Sequence, residues 1–196
     1  MSSDTESITP QMKEKYEEKW NNPMKKPYLE KIVLNIGAGA GGEELERAAT
    51  VLETITGREP KKTLSRSNVK EFDIRKGRPI GVKVTVRGSR AEDLLKRLLI
   101  VHNNRMRRSS FDEYGNFGFG IEEHISIPGV EYDNAIGIWG LDVLGRIVRP
   151  GMRVKYRRIH RAKIPEEHYV SRKEAQYYLV KKFDVNLAET LEREYY

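Results

Sequence analysis

The sequence predicts an α+β fold in which helices pack on one face of a mainly antiparallel sheet. Segments in which every second residue is apolar are interleaved with segments of helical periodicity, in the order strand, helix, strand, strand, helix, strand, strand. In the two clearest strands, 31–36 and 80–87, polar side chains alternate with the apolar ones. Such a sheet can leave one face open to a ligand, although a merely solvated face gives the same pattern.

The N-terminal part of the chain begins with a short polar helix, predicted over 10–20. Residues 31–36 form the first predicted strand, and the glycine-rich run at 37–42 ends it. The apolar residues of 43–56 share one stripe of a helix, and Gly57 is placed to cap its C-terminus. A helix therefore follows the first strand directly.

The middle of the chain is basic and rich in turns before regular structure resumes. Residues 58–68 predict a loop or a mobile hairpin arm, and 69–75 predict a short strand. After the strand at 80–87, Ser89 opens a capping box with the glutamate three residues later, which predicts a helix over 90–102.

The C-terminal part adds strands near 119–127 and 138–148, and a second capping box at Ser171 predicts a helix over 172–182. With these elements the fold is typical of an open-faced ferredoxin-like or RNA-recognition-like sandwich.

The domain organisation follows from these elements. We expect an N-terminal arm at 1–22, a single α+β domain at 23–163 with a basic arm at 58–70, and a C-terminal helical extension at 164–196. The length of 196 residues suits one domain with such additions.

Composition excludes several classes of protein. The chain has no Cys, so disulfides, zinc fingers, iron–sulfur clusters and thiol nucleophiles are excluded. The N-terminus has no signal-peptide pattern, and no apolar run approaches the roughly 18 residues of a membrane span. The four histidines have no metal-ligand spacing, and no constellation of residues indicates an enzyme. We therefore expect a cytoplasmic protein with no cofactor, no metal and no membrane partner.

The net charge of +7 hides a strong pattern along the chain. Residues 58–111 carry 16 bases and five acids, residues 112–145 carry seven acids and no base, and residues 146–163 carry eight bases and no acid. Separate basic and acidic blocks indicate separate faces for different partners, although surface ion pairs between the blocks are an alternative. The basic blocks interleave Arg and Lys with hydroxyl and amide side chains and with Tyr156, a composition suited to RNA.

Two short motifs favour structural roles. GxGxxG at 37–42 lies between a strand and a helix, as in dinucleotide-binding proteins, but three glutamates open the helix where a pyrophosphate would bind. The run NFGFGI at 116–121 is faintly similar to the aromatic strand of RNA-recognition motifs. Because it lies in the acidic block, alternating core phenylalanines are the favoured interpretation.

Several motifs in order resemble the universal large-subunit ribosomal protein five family, in its archaeal and eukaryotic branch. They are NPMKKPYLEKIVLNIGAG (22–39), ITGREP (55–60), IRKGRPIGVKVTVRG (74–88), FDEYGNFGFGIEEH (111–124) and IGIWGLDV (136–143). The resemblance runs from about residue 22 to about residue 163. It implies a noncatalytic scaffold that holds 5S rRNA in the central protuberance of the large subunit.

The resemblance also implies site residues and partners. Asn35, Arg58 and Thr85 resemble positions that contact 5S rRNA; bacterial relatives commonly carry Gln where Arg58 stands. With the polar strand faces and the second basic block, the predicted rRNA-binding residues are Asn35, Arg58, Lys83, Thr85, Arg87, Arg153, Lys155, Arg157 and Arg158.

The arm resembles the loop that approaches the peptidyl-site tRNA, and its predicted contacts are Lys61, Lys62, Arg66 and Lys70. The acidic stretch resembles the surface that faces small-subunit ribosomal protein thirteen, with Glu131, Asp133 and Asp142 as the predicted patch. Other implied partners are 23S-type rRNA and neighbouring 5S-binding ribosomal proteins. A general RNA-binding regulator or RNA chaperone with an open sheet remains the alternative.

Overall fold

The structure is a computed structural model that describes residues 10–39, 41–72 and 74–188. Within these residues the α-helices are α1 (Pro10–Trp20), α2 (Glu43–Thr56), α3 (Ser89–Ile100), α4 (Arg153–Tyr156) and α5 (Arg172–Phe183). The strands are β1 (Tyr28–Gly37), β2 (Lys61–Leu64), β3 (Pro79–Arg87), β4 (Arg105–Arg107), β5 (Asn116–Ile121), β6 (Leu141–Val148) and β7 (Asn186–Ala188).

Five of these strands form one sheet in the order β2-β3-β1-β6-β5, while β4 and β7 form a separate parallel pair. Strand β3 runs antiparallel to both of its neighbours. The sheet is mainly antiparallel with helices on one side, so the predicted α+β class is confirmed.

Strands β1 and β3 each direct apolar side chains to one face of the sheet and polar side chains to the other. Over 32–36 of β1 and 82–86 of β3, the even-numbered residues are buried apolar side chains: Ile32, Leu34, Ile36, Val82, Val84 and Val86. Helices α2 and α3 both contact β3. In an alternating strand the odd-numbered side chains therefore point away from the helices.

The chain divides into two compact units. We call residues 31–103 and 118–145 the central unit. Its helices contribute the buried residues Leu45, Ala48, Leu52, Ile55, Leu94, Leu95, Leu98 and Leu99. The Arg97 guanidinium donates to the Ile55 carbonyl over 3.0 Å and ties α3 to the last turn of α2. Gly57 ends α2 in the left-handed conformation, as predicted.

We call the described residues of 10–30, 104–117 and 146–188 the terminal unit. At its centre the Glu174 carboxylate, 1% exposed, is paired with the buried Arg149 guanidinium. The Trp20 indole donates to the same carboxylate over 3.1 Å, and Lys19 lies 3.5 Å from it. Burying a carboxylate is tolerated here because several donors satisfy it. The predicted domain boundaries near residues 22 and 163 stay a prediction.

Of the two local predictions for this region, the first is met in one of its forms and the second is wrong. Residues 61–64 form strand β2, which pairs antiparallel with β3, so of the loop or hairpin arm predicted over 58–68 the hairpin is present. The strand predicted over 69–75 is instead a 3₁₀ turn, Lys70–Phe72. The chain reverses here, since the amides and carbonyls of Val69 and Ile74 exchange hydrogen bonds of 2.8 and 3.0 Å.

The two predicted capping boxes have opposite outcomes. Helix α3 begins at Ser89 itself, so Ser89 cannot cap it, and Gly88 is the N-cap without a side-chain hydrogen bond. Gly88 has φ 71° and ψ −153°, a conformation that favours glycine. At α5, by contrast, the Ser171 hydroxyl accepts from the Glu174 amide over 3.4 Å.

The strands predicted near 119–127 and 138–148 are present with shifted bounds: β5 ends at Ile121, and β6 begins at Leu141. A 3₁₀ turn, His124–Ser126, follows β5. None of the described helices is long and apolar enough to cross a membrane. Across the described residues, no cluster of three or more His, Asp or Glu side chains is arranged to hold a metal ion.

Candidate nucleic-acid interface

The odd-numbered side chains of 31–35 in β1, 61–63 in β2 and 81–87 in β3 form a mainly polar surface, which we call the open sheet face. The register of the three strands places Lys61 opposite Lys83, and Lys83 opposite Asn35. The next rows pair Thr85 with Val33 and Arg87 with Lys31. The strands thus bring together four of the predicted rRNA-binding residues: Asn35, Lys83, Thr85 and Arg87.

The row of Lys61, Lys83 and Asn35 carries two cations side by side. Directly opposed residues on antiparallel strands lie about 5 Å apart, and like charges at that spacing destabilise the sheet. Among the described residues, no acidic side chain forms an ion pair with Lys61 or Lys83. The folded chain therefore keeps a repulsion that an anionic ligand would relieve.

The neighbouring row on the same face contains a glycine, Gly81, which pairs with Thr63 and Gly37. A Cβ on Gly81 would lie 2.8 Å from the Ile36 carbonyl oxygen and 3.0 Å from the Thr63 hydroxyl. Because one of these atoms belongs to the backbone, it cannot rotate away. Gly81 therefore permits β2 and β1 to flank β3 closely at this level of the open sheet face.

Lys62 lies on the opposite side of β2 from Lys61. It pairs with Val82, whose side chain is buried, and its ammonium group forms an ion pair with Glu46 of α2. The sequence-based prediction placed Lys61 and Lys62 together in the tRNA-facing loop. In the structure these neighbouring residues serve different faces.

The connection between β2 and β3, residues 65–72 and 74–78, includes the rest of the predicted arm and is held by its own hydrogen bonds. The Ser65 amide donates to the Arg78 carbonyl over 2.8 Å, and the Lys76 amide donates to the Asn68 side-chain oxygen over 2.7 Å. Arg66 and Lys70 are exposed on this arm. Phe72, in its 3₁₀ turn, is 73% exposed. The connection between β2 and β3 therefore exposes cations and one aromatic ring to solvent.

Arg58 is exposed on the short connection between α2 and β2, directly after Gly57. The register that aligns the strands does not extend to it, so its place beside the open sheet face stays a prediction.

The predicted acidic patch is divided between a loop and a strand. Glu131 and Asp133 lie in the loop before β6, where the Asp133 carboxylate accepts from the Ala135 amide over 2.8 Å. Asp142 is instead an exposed residue of β6, next to Gly120 of β5. The three carboxylates are exposed, but only two of them belong to the loop.

A buried histidine, His124, anchors the loop that carries Glu131 and Asp133, which we call the acidic loop. The Trp139 amide donates to Nδ1 of His124 over 3.2 Å, and the His124 amide donates to the Trp139 carbonyl over 2.9 Å. Burial lowers the pKa of His124 below its usual value. The neutral ring is the form that accepts the Trp139 hydrogen bond, so the loop is anchored best above the ordinary histidine pKa.

The second basic block, 146–163, belongs to the terminal unit. Arg153, Arg157 and Arg158 are exposed there, and the Arg157 side chain donates to the His160 carbonyl over 2.7 Å. Lys155 is half-buried beside Tyr169. Arg149 has a different role, because it is committed to Glu174.

The aromatic residues of the run at 116–121 have structural roles, as favoured from the sequence. Phe117 is buried against Phe111, and the Phe119 ring meets His102 edge-on at 5.4 Å. The other side of β5 carries Gly118, where a Cβ would meet the Leu144 side chain at 2.9 Å. These rings therefore do not form a base-stacking platform on the open sheet face. Helix α2 begins directly after Gly42 and carries three glutamates in its first turn.

Sequence reasoning missed two features, one in each unit. Lys31 lies opposite Arg87 at the edge of the open sheet face, and Tyr114 and Tyr169 form a ring pair at 5.4 Å in the terminal unit. The alternation of 31–36 places Lys31 on the polar side of its strand, but only the register shows its neighbour.

Comparisons with known proteins identify the family of the chain. The family model of ribosomal protein L5 matches residues 22–75, and the model of the C-terminus of the same ribosomal family matches residues 79–177. The large ribosomal subunit protein uL5 of Sulfurisphaera tokodaii is 49% identical over 86% of this chain and 96% of its own length. That of Pyrobaculum aerophilum is 49% identical over 79% and 86%, and that of Nitrosopumilus maritimus 45% over 85% and 96%. The chain belongs to the ribosomal protein L5 family.

Proposed function

We propose that the chain is a structural, non-enzymatic constituent of the large ribosomal subunit in the cytoplasm, and that its open sheet face binds 5S rRNA. Membership of the ribosomal protein L5 family and the similarity to large-subunit proteins uL5 support the first part. The observation that carries the second part is the row of Lys61, Lys83 and Asn35, in which two cations lack an acidic partner among the described residues.

The mechanism is recognition of the RNA backbone by a flat surface. Lys83 and Arg87 meet phosphates as cations, while Asn35 and Thr85 supply uncharged hydrogen bonds that tune the fit. Lys61 extends the same row from the edge strand, so we assign it to this contact as well as to the arm. Strands fix these side chains at regular spacing, which gives affinity without base-specific readout.

The arm supports a contact with peptidyl-site tRNA. Arg66 and Lys70 offer cations there, and the exposed Phe72 offers a ring. The exposed residues Arg153, Arg157 and Arg158 suit 23S-type rRNA by the same electrostatic logic.

The acidic loop suits a basic protein rather than RNA. Glu131 and Asp133 are exposed there beside Tyr132, and Ile138 is also exposed. Carboxylates with exposed apolar residues fit a protein contact, for which small-subunit ribosomal protein thirteen is the proposed partner. Neighbouring 5S-binding ribosomal proteins complete the proposed set of partners.

Competition binding tests this function. The full chain is titrated with 5S rRNA and with an unrelated structured RNA of equal length at the same salt concentration. We expect a clear preference for 5S rRNA, and a fall in its affinity on the order of 10³-fold from about 50 to about 200 mM salt. Equal affinity for both RNAs would favour a general RNA-binding regulator or chaperone instead.

A further inference from the structure

A second surface with the chemistry of an RNA contact lies in the terminal unit. Tyr114, Tyr156 and Tyr169 line a cavity of about 390 Å³ together with Arg146 and Lys155. Tyr156 is 55% exposed and Tyr114 is 51% exposed, so the rings are open to a ligand. A volume of this size suits one nucleotide rather than a folded element.

Two cations of this cavity, Arg146 and Lys155, each donate a hydrogen bond to an uncharged tyrosine hydroxyl. Lys155 donates to the Tyr169 hydroxyl over 3.1 Å and lies 5.3 Å from the centre of that ring. Arg146 donates to the Tyr156 hydroxyl over 2.6 Å, with its guanidinium 5.7 Å from the ring centre. Phenol oxygens carry no charge, so Lys155 keeps its full charge and two further donors.

The acidic groups nearby decide which ligand fits. Glu30 lies 3.5 Å from Arg146 and offsets part of its charge, and Glu166 lines the cavity itself. Glu166 would repel a free phosphate or an acidic peptide that filled the cavity. It would accept a hydrogen bond from an exocyclic amino group of a base, while Lys155 and the exposed Lys163 meet the phosphate.

We propose that this cavity takes one unpaired nucleotide of ribosomal RNA, with its base stacked on Tyr156 and its phosphate on Lys155 and Lys163. The proposal rests on the proposed function, because it takes ribosomal RNA as the partner. It adds a site that reads an unstacked base, whereas the open sheet face reads the backbone of a folded RNA.

The test distinguishes the contribution of the Tyr156 ring to RNA affinity from that of its hydroxyl, and the salt dependence distinguishes both from the contribution of charge. The full chain, Tyr156→Leu, Tyr156→Phe and the control Tyr132→Leu are each titrated with 5S rRNA and with a protein-free large-subunit rRNA transcript. Tyr132 is also 55% exposed but lies in the acidic loop, so it is a matched tyrosine outside the cavity. Equal unfolding midpoints show that the variants are folded.

Stacking on one base predicts that Tyr156→Leu loses about tenfold in affinity for one of the two RNAs, with an unchanged dependence on salt. Tyr156→Phe stays within about twofold of wild type, because it keeps the ring, and Tyr132→Leu is unchanged. The RNA whose affinity falls is the source of the nucleotide.

Two results would overturn the site while leaving the proposed function intact. One is wild-type affinity of Tyr156→Leu for both RNAs; the other is an equal loss in Tyr156→Phe, which would assign the effect to the Arg146 hydrogen bond. If the wild-type chain itself bound neither RNA, the proposed function would fail, and this site with it.

Discussion

The two basic blocks of this chain, 58–111 and 146–163, both have a net positive charge, but their cations differ in the partners that they bind. In the first, strand alternation places Lys61 and Lys83 on one face, with no acidic partner among the described residues. In the second, Arg149 is buried with Glu174, and Lys155 is bound to a tyrosine. Charge counted along a sequence therefore does not measure charge available to RNA; the secondary structure decides how much of it is free.

The same contrast appears within two consecutive residues. Lys61 faces the open sheet face and Lys62 faces Glu46, because successive side chains of a strand point to opposite sides. Single substitutions can test this distinction between cations that stabilise the fold and cations that bind RNA.

The largest effect is expected for Arg149→Met. Removing one partner of a buried ion pair leaves Glu174 as a buried carboxylate with fewer donors, at a cost of about 3–5 kcal/mol in the free energy of unfolding. Urea denaturation measures it, with Lys83→Met as the matched control. Lys83→Met should be as stable as wild type or slightly more stable, because it removes the repulsion between Lys83 and Lys61. An equal loss of stability in both variants would contradict the distinction between the two cations.

Gly81→Ala should have the second largest effect on the free energy of unfolding, because it adds a methyl group between closely spaced strands of the open sheet face. Its new methyl group would lie 2.8 Å from the Ile36 carbonyl, and overpacking of this kind costs about 1–3 kcal/mol. Gly37 is the register partner of Gly81, and a Cβ there meets nothing within 4 Å. Gly37→Ala should therefore unfold like wild type, and a comparable loss in that variant would refute the close-packing explanation.

Lys61→Ala and Lys62→Ala compare neighbouring residues on opposite faces. Loss of one phosphate contact should lower 5S rRNA affinity about fivefold at physiological salt for Lys61→Ala. Lys62→Ala should change affinity little and stability by less than about 1 kcal/mol, since it removes an exposed ion pair with Glu46. Filter binding measures both, and the opposite ranking would place Lys62 at the RNA.

The smallest effect concerns pH and the acidic loop. Burial lowers the pKa of His124, so its contribution to stability is present above the unfolded value of 6.5 and is lost as the pH falls below it. Trp139 fluorescence should report loosening of the loop between pH 7 and pH 5. In His124→Gln this change should be absent, and a wild-type signal that is flat with pH would contradict the anchor.

Regular elements were predictable because their periodicity is local. Helix α2 has the predicted bounds, since its apolar stripe and Gly57 define both of its ends, and β3 differs from its prediction by one residue. The open sheet face was predictable for the same reason: Asn35, Lys83, Thr85 and Arg87 alternate with core residues.

The features that could not be predicted from the sequence depend on pairing between residues that are far apart in the chain. Strand β2 has no alternation of its own and forms because β3 offers it an edge. The parallel pair of β4 and β7 joins residues about 80 positions apart, such as Met106 and Leu187. The roles of Lys62 and Arg149 depend on Glu46 and Glu174, which no local pattern connects to them.

The salt dependence of 5S rRNA binding tests the central claim most directly. We predict a steep fall in affinity with salt for wild type, a slope lowered by about 1 in Lys83→Ala, and an unchanged slope with weaker binding in Thr85→Ala. Lys96→Ala, an exposed lysine on α3, should match wild type. A flat titration for wild type, or an equal fall in slope for Lys96→Ala, would contradict binding by the open sheet face.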